Sequence, residues 1–223
     1  MREETGRKLR FLAGFGGFFL ALWLLWNTAA VYPLKIFVVL LHELSHGFAA
    51  VATGGSIDGI VLTADQGGAC YCFGGNAFVT LSAGYLGSLL WGALILEAAR
   101  LPGAGARWVT AALGLLVTTL TILFVRSPFG IAFGIAFGIA LAAAGRLLPA
   151  TANAAVLTAL GLTSCLYAIL DIKSDILDRP ELRSDARMLA EATGVPTVVW
   201  GILWIGTALG VSWLLFRRAW RTA

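Results

Sequence analysis

Seven apolar runs of about 20 residues make up most of this chain and decide what it can fold into. The hydrocarbon core of a bilayer is about 30 Å thick, so a helix that crosses it needs about 20 apolar residues. A helix also satisfies its backbone hydrogen bonds internally, which lipid requires. We therefore predict an all-α polytopic membrane protein, a single domain over residues 1–223, with seven transmembrane helices, or six if one run does not cross. The predicted spans are residues 11–30, 34–53, 78–99, 107–125, 128–146, 151–172 and 195–216.

The composition also predicts a chain embedded in the lipid bilayer. Hydrophobic residues form 59% of the sequence and charged residues 13%, whereas soluble domains carry about 25% charged residues. The basic residues lie at the ends of the apolar runs, where they face anionic headgroups, and we expect no nucleic-acid partner. We expect a multi-pass protein of the cell membrane, in a bacterium the plasma membrane. A slight excess of basic residues favours the N-terminus and residues 171–194 on the cytoplasmic side.

Small residues recur with helical spacing in two of the predicted spans. Residues 129–140 repeat FGIA three times, and the four-residue period places Gly130, Gly134 and Gly138 on one helix face. The span 78–99 carries Gly84 and Gly87 within SAGYLGSLLWG. Glycine faces let a second helix approach closely, so we predict helix packing at both places.

A glycine-rich stretch, residues 54–77, is too polar and too broken to cross the membrane. It contains two short pieces with high β propensity, Ile57–Thr63 and Ala69–Phe73, separated by turn residues. Two interpretations stay open: a plain surface loop, or a small β-hairpin with an edge strand that pairs with an extended substrate. Cys70 and Cys72 are expected to be too close for an easy disulfide.

The motif HELSH lies near the middle of the predicted span 34–53. Its two histidines, His42 and His46, are the only ones in the chain. Being four residues apart, they share one helix face and can bind one metal ion. Glu43 lies beside them, where the general base for an attacking water belongs. The alternative is a pair of core histidines, but ionisable groups at membrane depth are costly and are usually functional.

A catalytic zinc site needs a third protein ligand, and no histidine remains. An acidic residue is the expected donor. Asp171 directly follows the apolar run 151–172 and is the first choice, and Asp175, one helical turn further, is the second. Asp58 and Asp65 in the glycine-rich stretch stay open. The alternative for Asp175, and the expectation for Asp178 and Asp185, is a solvated juxtamembrane helix with i,i+4 ion pairs.

Four segments in order resemble a known family. HELSHGFAAVATGG, SAGYLGSLLWG, LDIKSDILDRP and SDARMLAEATGVPTVVWG are similar to segments of the site-2-protease-type intramembrane metallopeptidases, and more narrowly of their short bacterial M50B-like branch. The resemblance covers residues 36–204. It implies a zinc ion (Zn²⁺) held by His42, His46 and a later aspartate, with Glu43 as the base. Better-studied members carry that aspartate in an Asn-Pro…Asp-Gly setting, whereas the only Asp-Gly here is Asp58-Gly59.

Motif and resemblance together predict a zinc-dependent intramembrane endopeptidase that hydrolyses peptide bonds of a membrane-protein or peptide substrate. The alternative is a non-proteolytic membrane protein that retains the metal site, such as a binder or chaperone of transmembrane segments. The intact Glu43 favours the enzyme, because a binder has no need of a base.

Overall fold

The computed structural model describes residues 2–178 and 183–222 and is mostly helical. Among these residues, seven helices are long and apolar enough to cross a membrane. A short eighth helix, α7, lies between the last two of them, and a π-helical turn, Ser174–Asp178, extends α6. The predicted all-α membrane fold is therefore confirmed. The helices are α1 (Arg2–Leu25), α2 (Tyr32–Ala52), α3 (Ala77–Ala98), α4 (Gly105–Phe124), α5 (Pro128–Leu147), α6 (Ala150–Lys173), α7 (Asp185–Thr193) and α8 (Thr197–Thr222).

The first helix departs most from the predicted spans. It ends at Leu25, five residues before the predicted end, and residues 26–31 form turns. Pro33 then occupies the first turn of α2. Proline is tolerated there because the first-turn amides have no intrahelical partner in any case.

The glycine-rich stretch forms a small β-hairpin, the second of the two interpretations left open by the sequence. Strands β1 (Ser56–Leu62) and β2 (Gly68–Phe73) pair antiparallel. The hairpin folds back along α2, since the Tyr32 hydroxyl donates to the Ala64 carbonyl at 2.7 Å. Ile60 is fully buried and bridges Val125 in the α4–α5 turn. The hairpin is thus packed into the helical bundle, which rules out the plain surface loop.

Cys70 and Cys72 are joined by a disulfide, so the expectation that they are too close to pair was wrong. Residues two apart in a strand point to the same face. Their Cα atoms lie 5.8 Å apart, within the usual range for a disulfide.

The FGIA repeat packs α5 against α4 as predicted. Its three glycines are buried. A Cβ added at Gly138 would lie 2.8 Å from the Gly114 carbonyl oxygen on α4. The two backbones are thus too close for a side chain at this point, and van der Waals contact between them stabilises the pair in lipid.

The bundle has two distinct ends. At one end, here called the site end, α3 and α8 begin, and α2 and α6 end. At the other, the far end, α3 and α8 end, as the contact of Arg218 with Glu97 shows. The N-terminal part of α1 is also at the far end: Phe11 contacts Phe216 with ring centroids 5.7 Å apart, and Lys8 lies over the Trp220 ring.

This placement contradicts the expectation that the N-terminus shares a side with residues 171–194. The slight excess of basic residues behind that expectation included those of the N-terminus, which the structure places at the far end. Grouped by structure, the described basic residues concentrate at the far end, so the positive-inside rule now favours a cytoplasmic far end. That end carries Arg7, Lys8, Arg10, Arg100, Arg107, Arg146, Arg217, Arg218 and Arg221.

Candidate metal centre

Helix α2 is the central helix of the bundle and carries HELSH. Of its span, 72% is buried, against 6–44% for the other spans. Most of its own side chains are apolar and buried, which is typical of a helix enclosed by protein or lipid. Two ionisable side chains of the motif, Glu43 and His46, are nevertheless only 6% exposed. Such groups are rare at membrane depth and usually have partners.

Both histidines direct the same ring nitrogen toward one carboxylate. The Nε2 atom of His42 lies 3.0 Å from Asp185 Oδ2, and the Nε2 atom of His46 lies 3.1 Å from the same oxygen. The Asp185 side chain is 11% exposed. Within the described part of the chain, these three residues form the one group of His, Cys, Asp or Glu donors close enough to hold a metal ion.

The other ring nitrogen of each histidine faces an oxygen acceptor. His46 Nδ1 lies 2.7 Å from the Thr80 carbonyl oxygen, and a carbonyl can only accept, so Nδ1 carries the proton and donates it. In the neutral imidazole, Nε2 of His46 is then the nitrogen that can bind a metal ion. His42 Nδ1 faces Asp171 Oδ2 at a looser 3.8 Å. Such outer partners hold the imidazoles of metal sites in orientation.

A glycine on α3 lies directly against both imidazoles. A Cβ added at Gly84 would be 2.6 Å from the Cε1 atoms of His42 and His46. No side chain fits there while the rings keep their places. The glycines of the SAGYLG segment predict close packing by another helix, and the structure shows that this helix is α2 and that Gly84 limits the positions of both imidazoles.

The donor set fits a zinc ion. Two imidazoles and one carboxylate are a ligand set that catalytic zinc uses, with a fourth position left open. Donors about 2.1 Å from a tetrahedral ion are about 3.4 Å apart, close to the 3.0 and 3.1 Å found here. Burial alone would raise the pKa of Asp185, but charge and hydrogen bonds from the two imidazoles hold that pKa well below its usual range. The carboxyl is therefore ionised, as a metal ligand must be.

Glu43 is held at the wall of the same cavity by the hairpin. The Cys70 backbone amide donates a hydrogen bond to its carboxylate. Gly68 lies so close that an added Cβ would be 2.8 Å from Glu43 Cγ. The cavity has a volume of about 370 Å³ and is lined by the hairpin, by α2, α3 and α6, and by residues 183–188. Glu43 and the three candidate donors thus line one cavity together.

The structure brings His42, Glu43 and His46 into one cavity but separates the acidic candidates. Asp171 lines the cavity on the Nδ1 side of His42, away from the cluster of Nε2 atoms. Asp175 accepts a hydrogen bond from the Tyr85 hydroxyl at 2.5 Å. The two hairpin candidates, Asp58 and Asp65, are exposed and outside the donor group. Asp171 as a ligand stays a prediction, and the geometry favours Asp185 over it.

Asp185 was missed because its segment was expected to be a solvated helix. That expectation was wrong: Ala186 and Leu189 are fully buried and pack α7 into a cluster with Tyr85 and Trp204. The i,i+3 spacing of these two apolar residues is a signal that the helix docks on the bundle. The second signal is Ser184 before Asp185, because serine caps helix N-termini and an acidic group in the first turn complements the helix dipole.

Comparison with protein families gives one result over most of the chain. The family model described as Peptidase M50B-like matches residues 16–215. The match includes the HELSH helix, the hairpin and Asp185. No curated protein and no solved structure matches this chain.

Proposed function

The chain belongs to the Peptidase M50B-like family, and from its site we propose that it is a zinc-dependent endopeptidase that hydrolyses peptide bonds of membrane-embedded substrates. One observation carries the proposal: Glu43 and the donors of His42, His46 and Asp185 line one accessible cavity within a bundle of membrane-spanning helices. A binder of transmembrane segments has no need of a buried glutamate beside three metal donors.

Each residue has a distinct role in the proposed reaction. His42, His46 and Asp185 hold the ion in this proposal. We favour this ligand set over His42, His46 and Asp171 because the donor atoms of the first set lie close together. When bound, zinc supplies Lewis-acid polarisation of the scissile carbonyl and lowers the pKa of a water toward neutrality. Glu43 takes a proton from the attacking water and passes it to the leaving amine, which lets the C–N bond break.

The hairpin positions the substrate in this proposal. Gly68, Ala69 and Cys70 of β2 line the cavity next to Glu43. An extended peptide that pairs with β2 at this edge gains main-chain hydrogen bonds, and its backbone then passes the base. Helical substrates must unwind locally to bind in this way, so peptides with a helix-weakening residue near the cleaved bond are the favoured class.

The test compares wild-type protein with Glu43→Gln in proteoliposomes, using a fluorescent single-span peptide that the wild type cleaves. The amide keeps the shape of the side chain but cannot act as a base, so cleavage should fall by at least about 10²-fold. Zinc content, measured on the same samples, should stay near one per chain. His42→Ala is the matched control that loses both zinc and cleavage. Cleavage by Glu43→Gln at the wild-type rate would overturn the mechanism.

A further inference from the structure

A second cavity lies at the far end of the bundle and has no part in the proposed chemistry. Its volume is about 650 Å³, and α1, α3, α6 and α8 form its walls. The site cavity shares no lining residue with it. Its wall is almost entirely apolar and is dominated by aromatic side chains, among them Phe11, Phe15, Phe18, Phe19 and Phe216.

The cavity exists because α1 is held away from the bundle. Helix α1 contacts α8 through aromatic rings, such as Phe15 against Phe216 with centroids 5.2 Å apart. Opposite, α6 presents the small side chains of Ala155, Thr158 and Ala159, which do not reach across. Only 6% of the α1 span is buried, so protein contacts alone hold this helix weakly.

Two guanidinium groups, Arg10 and Arg100, lie on the cavity wall. The one carboxylate on that wall, Glu97, is already shared by Arg100 at 3.6 Å and Arg218 at 3.2 Å. Within the described part of the chain, Arg10 makes no ion pair. The apolar cavity therefore has a net positive rim, at the end where the basic residues of the chain concentrate.

We propose that this cavity is a specific site for an anionic phospholipid, with an acyl chain against the phenylalanines and the phosphate at Arg10 and Arg100. Arginine binds phosphate oxygens through paired N–H donors, and an apolar cavity below cationic groups matches an anionic amphiphile. The lipid would connect α1 to α6 across the gap that their side chains leave.

The volume favours an acyl chain over a transmembrane helix as the occupant. A helix of about 10 Å diameter occupies roughly 420 Å³ per 5.4 Å turn, so 650 Å³ admits little more than one turn. A single acyl chain is thinner and fills such a space along its length. Free phosphate would satisfy the arginines but leave the apolar wall without a partner.

Native mass spectrometry of the full chain in neutral detergent tests the proposal, with phosphatidylglycerol and phosphatidylcholine of equal chain length as probes. We expect one tightly bound phosphatidylglycerol molecule per chain, and we expect phosphatidylcholine to bind with at least about tenfold lower affinity. Arg10→Gln/Arg100→Gln should weaken phosphatidylglycerol binding at least tenfold. Arg146→Gln/Arg221→Gln removes the same charge from exposed far-end positions outside the cavity and should bind like the wild type.

Ala159→Leu tests the apolar part without changing charge, because the larger side chain fills the acyl path from α6. It should weaken lipid binding while circular dichroism shows an intact helical fold. Glu43→Gln should bind lipid normally, which separates this site from the proposed enzyme. Three results would overturn the proposal. The two lipids could bind equally tightly, or the two double variants could weaken phosphatidylglycerol binding equally. The third is that inorganic phosphate, added as a further probe, binds the protein as tightly as phosphatidylglycerol does.

Discussion

The Nε2 atom of His42 lies 3.0 Å from Oδ2 of Asp185, although 143 residues separate them in the chain. This contact joins the central helix α2 to the short helix α7, which follows the last turn of α6 by only a few residues. The candidate centre is therefore shared between a helix inside the bundle and a segment docked on its site end.

The third ligand is tested by metal analysis of matched variants. Asp185→Ala removes one of three donors, so zinc content should fall toward zero. Asp171→Ala removes the carboxylate that faces His42 Nδ1, and we expect about 10–100-fold weaker affinity with full occupancy at saturating zinc. Asp175→Ala should retain the metal. If Asp171→Ala loses all zinc and Asp185→Ala keeps it, Asp171 is the ligand, as the sequence alone predicts.

Gly84→Ala should displace both ligand imidazoles, because the added Cβ would lie 2.6 Å from each ring. We expect a large loss of zinc affinity with the helical fold retained. The matched control is Gly206→Ala on α8, where an added Cβ meets no atom within 4 Å. Equilibrium zinc titration of both proteins measures the difference. Equal affinities would mean that α3 does not set the ring positions.

Tyr85→Phe should destabilise the site end. The lost hydrogen bond goes to the Asp175 carboxylate, and hydrogen bonds to charged groups contribute about 1.5–3 kcal/mol. The phenyl ring keeps its edge contact with His42, whose centroid lies 5.1 Å away. Chemical unfolding in detergent measures the free energy of unfolding. Tyr71→Phe, at a position 55% exposed, is the control and should differ little; an equal loss in both would contradict the role of this contact.

Topology is tested by cysteine labelling of intact cells. In a background without Cys70, Cys72 and Cys165, we expect Arg187→Cys to react with an impermeant thiol reagent from outside and Arg146→Cys to react only after lysis. Both positions are exposed but lie at opposite ends of the bundle. The far end carries more basic residues, so it should face the cytoplasm. The reverse labelling pattern would invert the bundle and place the site end inside.

The features that the sequence determined are local ones. Span lengths follow from runs of apolar residues and the thickness of the bilayer. The shared face of His42 and His46 follows from a four-residue separation on any helix. The glycine face of the FGIA repeat and the two strand segments of the hairpin likewise depend on periods of a few residues. Apart from the bounds of the first span, these features agree with the structure, because helix and strand geometry act over the same short distances.

Tertiary structure alone decided the contacts between distant segments. Asp185 reaches both imidazoles because Ala186 and Leu189 bury α7 against Tyr85 and Trp204. The charge and hydropathy of this segment predict that it is exposed to solvent. These local properties do not specify which surface of the bundle a short helix packs against. The placement of α1 beside α8 likewise depends on aromatic contacts between the two ends of the chain. The spacing of apolar residues identifies which face of a helix is buried. The segment that packs against this face is determined only by the fold of the whole chain.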